Sequence, residues 1–191
     1  MLVDRRSFCL TLTAAYPALT LLGCQRRRPA PAEQPCEVDR RTAGSGRVLN
    51  PAEWATLEAA CARILPSDKD PGAAEADVVN FIDAQLALPH FSAFGRLFSA
   101  GLHKLDQLAR AQGGAAFVAL TPERQDRLLT RMEQGVRMGR RSSRQFFRLL
   151  VTFTLEGFLC DPVYGGNRGM AGWRFIGFEP RPPRPRCPYL G

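Results

Sequence analysis

Histidine is nearly missing from this chain of 191 residues: His90 and His103 are its only two, and neither has a partner at metal-ligand spacing or a serine or cysteine motif aimed at it. That removes the familiar zinc and nucleophile–histidine readings. Calcium fails too, because Asp68-Lys69-Asp70 opens like a binding loop but has Gly72 at the fifth position and Val79 at the twelfth, where a bidentate glutamate belongs. The stretch reads instead as a turn with a capping carboxylate. Six cysteines contain no C-x-x-C pair, which argues against redox catalysis. The glycines around Asn167 follow no strand and open no clear helix, so they do not make a dinucleotide fingerprint. No residue is assigned a catalytic, cofactor-binding or metal role. Long apolar runs are also absent: Leu10–Leu22, broken by Pro17, is well short of the roughly 20 residues that a spanning helix needs.

What the chain does have begins at its start. Met1 to Gly23 reads as an export signal, with Arg5-Arg6 as the charged region and Leu10 to Leu22 as the apolar one. Asp4-Arg5-Arg6-Ser7-Phe8-Cys9-Leu10 looks like a twin-arginine signal, whose pathway carries folded proteins across the membrane; an ordinary secretory signal is the alternative. Leu21-Leu22-Gly23-Cys24 resembles a lipobox, in which the Cys24 thiol takes lipid and becomes the mature N-terminus. Acyl chains would then hold the protein at a membrane, each buried methylene contributing about 0.8 kcal/mol. Residues 24–47, rich in Pro, Arg, Ala and Gly, read as a flexible tether. The expected location is periplasmic and membrane-associated.

The formal net charge of +8 invites a nucleic-acid reading. Acidic and basic residues nevertheless balance between Val48 and Asp161, at 13 each, and the excess lies in leader, tether and tail. No nucleic-acid partner is expected. Arg137, Arg140, Arg141, Arg144 and Arg148 do cluster where a helix should begin, against the positive end of its dipole. Solvent and Glu133 would offset them, or an acidic patch on a partner protein.

Residues 48–179 read as one all-α domain, a bundle or array of about five helices with an irregular Gly/aromatic-rich C-terminal segment; residues 180–191 form a Pro/Arg-rich tail. Asn50, Pro51 and Glu53 make a helix start, with Leu49 able to staple against Trp54, and Leu65-Pro66-Ser67-Asp68 makes its stop. Periodicity predicts further helices over about 73–88 and 91–111, a fourth capped at Thr121-Pro122, and a fifth capped at Ser142 or Ser143 and running to Leu159. The fifth is apolar nearly all round and should be the central, most enclosed helix.

After it come glycines and aromatic side chains that need a surface to bury against. Tyr164, Gly165, Gly166, Asn167, Trp173 and Phe175 are the candidate partner-docking residues. With Cys9 lost and Cys24 lipidated, Cys36, Cys61, Cys160 and Cys187 remain for structural disulfides in an oxidising space, with Cys61 also readable as plain packing and Cys160 as an intersubunit bond.

Arg63-Ile64-Leu65-Pro66-Ser67-Asp68, Pro71-Gly72-Ala73, Val79-Asn80-Phe81-Ile82-Asp83, Asp161-Pro162-Val163-Tyr164-Gly165-Gly166-Asn167 and Gly172-Trp173-Arg174-Phe175-Ile176-Gly177 stand in this order behind a twin-arginine leader. In order and spacing they resemble the gluconate 2-dehydrogenase subunit 3 family over about residues 50–178. The resemblance implies a small, non-catalytic subunit of a membrane-associated dehydrogenase of sugars or polyols. FAD would sit on a large subunit of the glucose-methanol-choline oxidoreductase type, and a cytochrome c subunit can complete such an assembly. A flavoprotein that folds around FAD in the cytoplasm and lacks its own signal would cross the membrane only while bound to a subunit that has one, so the small chain would act as escort. The apparent lipobox and the Arg-Pro-rich end depart from the family pattern. The rival reading is a free-standing periplasmic lipoprotein or binding module of the same fold, without an oxidoreductase partner.

Overall fold

The computed structural model describes residues 46–113, 115–139 and 141–181. The expected signal with Arg5 and Arg6, the lipid site Cys24, the tether with Cys36, Arg140 in the arginine cluster, and the tail from residue 182 with Cys187 lie outside the described residues.

Helix α1 (Pro51–Ile64) starts on a complete capping box. Asn50 Oδ1 accepts the N–H groups of Ala52 and Glu53 at 3.0 Å each, and the Asn50 N–H donates to Glu53 Oε2 at 3.0 Å. Such a cap contributes about 1 kcal/mol. Leu49 and Trp54 are both buried, as a hydrophobic staple requires. After Ile64 the chain doubles back: Ala73 N–H donates to Leu65 O at 2.9 Å, and a Cβ on Gly72 would lie 2.5 Å from that same oxygen. Only glycine fits so close an approach. Glu75 holds the turn by accepting from Ser67 Oγ (2.5 Å) and Gly72 N–H (2.9 Å), and the Ser67 hydroxyl is the main cause that keeps its carboxyl below the usual range. Asp68 Oδ1 accepts the Asp70 N–H at 2.9 Å, so the calcium-like stretch is a turn satisfied by its own backbone.

Helix α2 (Val78–Leu86) is shorter than its periodicity predicts, because Asp77 is left-handed (φ 58°, ψ 38°) and the residues before it are turns. A single residue in that region ends helical hydrogen bonding. Next come α3 (Ser92–Arg110), α4 (Pro122–Gln134), and a minimal antiparallel pair of β1 (Arg137–Met138) with β2 (Arg141–Ser142), Arg137 opposite Ser142. Helix α5 (Ser143–Leu159) follows, and after two 3₁₀ turns comes α6 (Ala171–Phe175). The architecture is an all-α array. Its sixth helix lies inside the segment expected to be irregular, and the two-residue pair is strand content that the sequence did not announce.

Helix α5 occupies the middle and packs against α1 to α4 and α6. Ser142 caps it, and the buried Ser143 Oγ donates to Met132 O at 2.6 Å while accepting the Val136 N–H at 2.7 Å, tying α5 to the end of α4. Phe146 packs edge-on to Phe98 (5.5 Å) so tightly that a Cβ on Gly101 would sit 2.3 Å from its ring. A fully buried ring of this kind contributes about 2–3 kcal/mol. The full enclosure expected of α5 is not found. Phe146, Leu150, Phe153, Thr154, Gly157 and Phe158 face inward, but Arg144, Arg148, Thr152, Leu155 and Leu159 are exposed along the opposite side.

Candidate functional site

Among the described residues, an acid–base cluster joins α1 to α3. Ser99 Oγ donates to Glu53 Oε1 at 2.5 Å, and His103 Nε2 lies 3.3 Å from the same oxygen. Nucleophilic catalysis needs the serine proton to point at a base that will take it. In this cluster it points at a carboxylate already holding the Asn50 N–H, so the cluster joins the α1 cap to α3. His90 packs its ring on Phe91 at 4.3 Å. Among the described residues no group of three or more His, Cys, Asp or Glu could hold a metal ion.

One arginine of the cluster finds a local use. Arg144 Nε donates to Gln134 O at 2.9 Å, at the negative dipole end of α4. The charge that is unfavourable at the start of α5 is favourable at the end of α4.

The glycine-rich segment closes a helix of its own chain. Helix α5 ends with carbonyls that no helical N–H can reach. Asn167 N–H donates to Gly157 O (2.8 Å), Asn167 Nδ2 to Cys160 O (2.8 Å), and Trp173 Nε1 to Leu159 O (2.7 Å). Asn167 Oδ1 in turn accepts the Gly172 N–H at 2.8 Å. Backbone approaches this close exclude side chains: a Cβ on Gly166 would lie 2.2 Å from Gly157 O, and one on Gly172 1.9 Å from Phe158 O. Asn167 is wholly buried and left-handed (φ 44°), a conformation that asparagine tolerates better than most residues. The segment also grips the turn that leads into α2, where Arg168 N–H donates to Ala76 O (3.0 Å) and its guanidinium pairs with Asp77 at 3.2 Å. Gly-Gly-Asn and Gly-Trp together are therefore a C-terminal cap for α5, built from residues up to fourteen positions downstream.

Of the six candidate docking residues, Gly165, Gly166, Asn167 and Trp173 are buried in the chain's own fold, and Tyr164 packs half-buried against the core. Phe175 is 57% exposed. With Leu155 and Leu159 of α5, against which α6 packs, and with Ile176 and Phe178 just beyond α6, it makes up a set of exposed apolar side chains, the ridge, that sequence reasoning did not single out as a group. The cap holds the ridge together: Phe175 packs edge-on to Phe158 (6.1 Å), and Phe178 packs edge-on to Trp173 (5.1 Å), whose indole is bonded to Leu159 O. The signal for Leu155 and Leu159 was available in the helical period, since they fall opposite Phe146, Leu150 and Gly157.

The model of gluconate 2-dehydrogenase subunit 3 matches residues 51–180, from the first residue of α1 through the ridge. The chain belongs to that family. No curated protein matches it, and no solved structure does. A gluconate 2-dehydrogenase subunit 3 is by its description one component of a multi-subunit dehydrogenase, and the six helices among the described residues, with their tail cap, are this member's form of it.

The described cysteines occupy different settings. Cys61 carries no disulfide, is buried, and has a thiol pushed up to about 12, above all by burial. Thr154 Oγ1 sits 3.3 Å from its sulfur and 2.7 Å from Leu150 O. The hydroxyl has one hydrogen and the carbonyl takes it, which leaves the protonated thiol to donate to Oγ1. Cys61 therefore packs, as one of its two sequence readings held. Cys160 is half-buried at the α5 cap, its sulfur 3.5 Å from Gly157 O. Among the described residues no helix is long and apolar enough to cross a membrane.

Proposed function

We propose that this gluconate 2-dehydrogenase subunit 3 is a non-catalytic small subunit that binds, stabilises and escorts an FAD-dependent gluconate or sugar dehydrogenase large subunit. It does so through a twin-arginine signal at Arg5-Arg6, to the periplasmic side of the membrane, where lipid on Cys24 holds the assembly. FAD belongs to the large subunit, and a cytochrome c subunit can join the complex.

The observation that carries this reading is the ridge. Leu155, Leu159, Phe175, Ile176 and Phe178 expose between 38% and 57% of their surface while the helix end beneath them is satisfied by hydrogen bonds. Their exposure is thus a property of a well-formed surface, and apolar patches of this kind mark interaction sites. Aromatic side chains on a rigid base are also what energetically dominant interface positions are made of.

The test is to co-express the full chain with a candidate FAD-dependent large subunit and to locate the flavin-dependent sugar oxidation. Wild type places it at the periplasmic membrane; Arg5→Lys with Arg6→Lys retains it in the cytoplasm. Leu155→Asp with Ile176→Asp abolishes co-purification of flavin while the thermal unfolding of the small subunit is unchanged. Periplasmic activity regardless of the arginines would end the escort role, and full flavin recovery with the ridge variant would end the docking role.

A further inference from the structure

The exposed face of α5 runs beyond the ridge. Arg144, Arg148, Thr152, Leu155 and Leu159 recur at intervals of four, four, three and four, which aligns them in one stripe about 23 Å long. Toward its N-terminal half the stripe borders a groove of about 320 Å³ between α4 and α5, lined by Glu133, Arg144, Phe147, Arg148, Val151 and Thr152. Its other half is the apolar ridge. The two halves differ in chemistry. The groove has two guanidinium groups against one carboxylate, and Arg144 is already committed to Gln134 O. Arg148 is exposed and, among the described residues, in no ion pair. The ridge end offers leucine, isoleucine and phenylalanine.

A polar-to-apolar gradient along a rigid helix gives a direction as well as a place. We propose that this stripe is a docking track for one elongated segment of the dehydrogenase large subunit, which lays apolar side chains over Leu155, Leu159 and Phe175 and sets a carboxylate against Arg148. The segment can seat in one orientation only, because reversal would put its carboxylate on the apolar ridge and its apolar side chains on the guanidinium groups. Phe147 and Val151 supply apolar walls for the stem of the acidic side chain in the groove.

The inference rests on the docking reading above, and the experiment separates the two. The co-expressed complex is purified, and the affinity of the two subunits is measured at low and high salt for wild type, Arg148→Glu, Leu159→Asp, and Arg110→Glu, at the end of α3 and outside the stripe, as control. Arg148→Glu should weaken association by at least about tenfold at low salt and flatten the salt dependence, as charge reversal at an interface does. Arg110→Glu should match wild type. A photo-crosslinker at position 148 should mark a large-subunit segment containing Asp or Glu. If Arg148→Glu binds as wild type while Leu159→Asp does not, docking stands and the track is wrong. A crosslink to a segment without carboxylates overturns the track as well. If neither variant changes affinity, both readings fall.

Discussion

Asn167→Ala is the substitution that most directly tests the cap. Asn167 Nδ2 bonds Cys160 O and Oδ1 bonds the Gly172 N–H, both at 2.8 Å, inside a residue that is wholly buried. Removing the amide strands the Gly172 N–H in a dry setting, at about 1–3 kcal/mol, and loses about 1 kcal/mol more at the less enclosed Cys160 O. Alanine must also adopt φ 44°, which costs about 1–2 kcal/mol for a residue with a Cβ and no local hydrogen bond. The sum is about 4 kcal/mol, a large share of the roughly 5–15 kcal/mol available to a domain of this size. Urea unfolding of the chain reads it as a fall in midpoint at constant slope. Two companions separate the terms. Asn167→Gly relieves the backbone and should recover about 1 kcal/mol, whereas Asn167→Asp keeps the Gly172 bond but turns an acceptor toward Cys160 O and recovers little. A cost below about 1 kcal/mol for Asn167→Ala would show that the α5 carbonyls find other donors and that the cap argument is wrong.

Three further outcomes are expected. Asp83, buried at 0% exposure, accepts the N–H groups of Arg47 (2.6 Å), Val48 (3.0 Å) and Leu49 (3.0 Å) just before α1; Asp83→Asn should cost about 2–3 kcal/mol and free the segment from residue 46 to proteolysis, and an unchanged midpoint would refute this. Cys61, with its thiol pushed up to about 12 and its side chain enclosed, should resist alkylation in the folded chain and react once unfolded, so rapid native-state labelling would show the core to be open. Burial raises the carboxyl of Glu156 above its ordinary value, so the folded chain holds that proton more tightly than the unfolded one, and the charged form costs stability once pH rises past the unfolded value. Glu156→Gln should raise the melting temperature near neutral pH and lose that advantage below about pH 4, where both forms are neutral; an advantage independent of pH would assign it to something other than ionisation.

Features were legible in the sequence where their physics is local. The α1 capping box joins Asn50 to residues two and three positions away, and the Leu65–Ala73 turn closes within nine residues, so residue type and spacing suffice. The length of α2 was misread because the left-handed turn at Asp77 is set beside a pairing with Arg168, ninety-one positions along, which no window of apolar periodicity contains. The arginine cluster looked unbalanced for the same reason. Arg144 of that cluster meets the Gln134 carbonyl, which the two-residue β pair between the helices brings to it.

The amino-acid sequence by itself determined the helical class, the starts of α1, α4 and α5, the turn glycines and the family, because periodicity, capping and close backbone contact are written in neighbouring residues. Only the tertiary structure decided what the glycine-rich segment does. Asparagine, glycine and tryptophan can serve a partner or their own chain with equal chemistry, and the choice depends on whether unsatisfied carbonyls lie within reach once the chain has turned back. In this fold the end of α5 lies within reach, so those residues close the helix, and the surface left open falls to Leu155, Leu159, Phe175, Ile176 and Phe178.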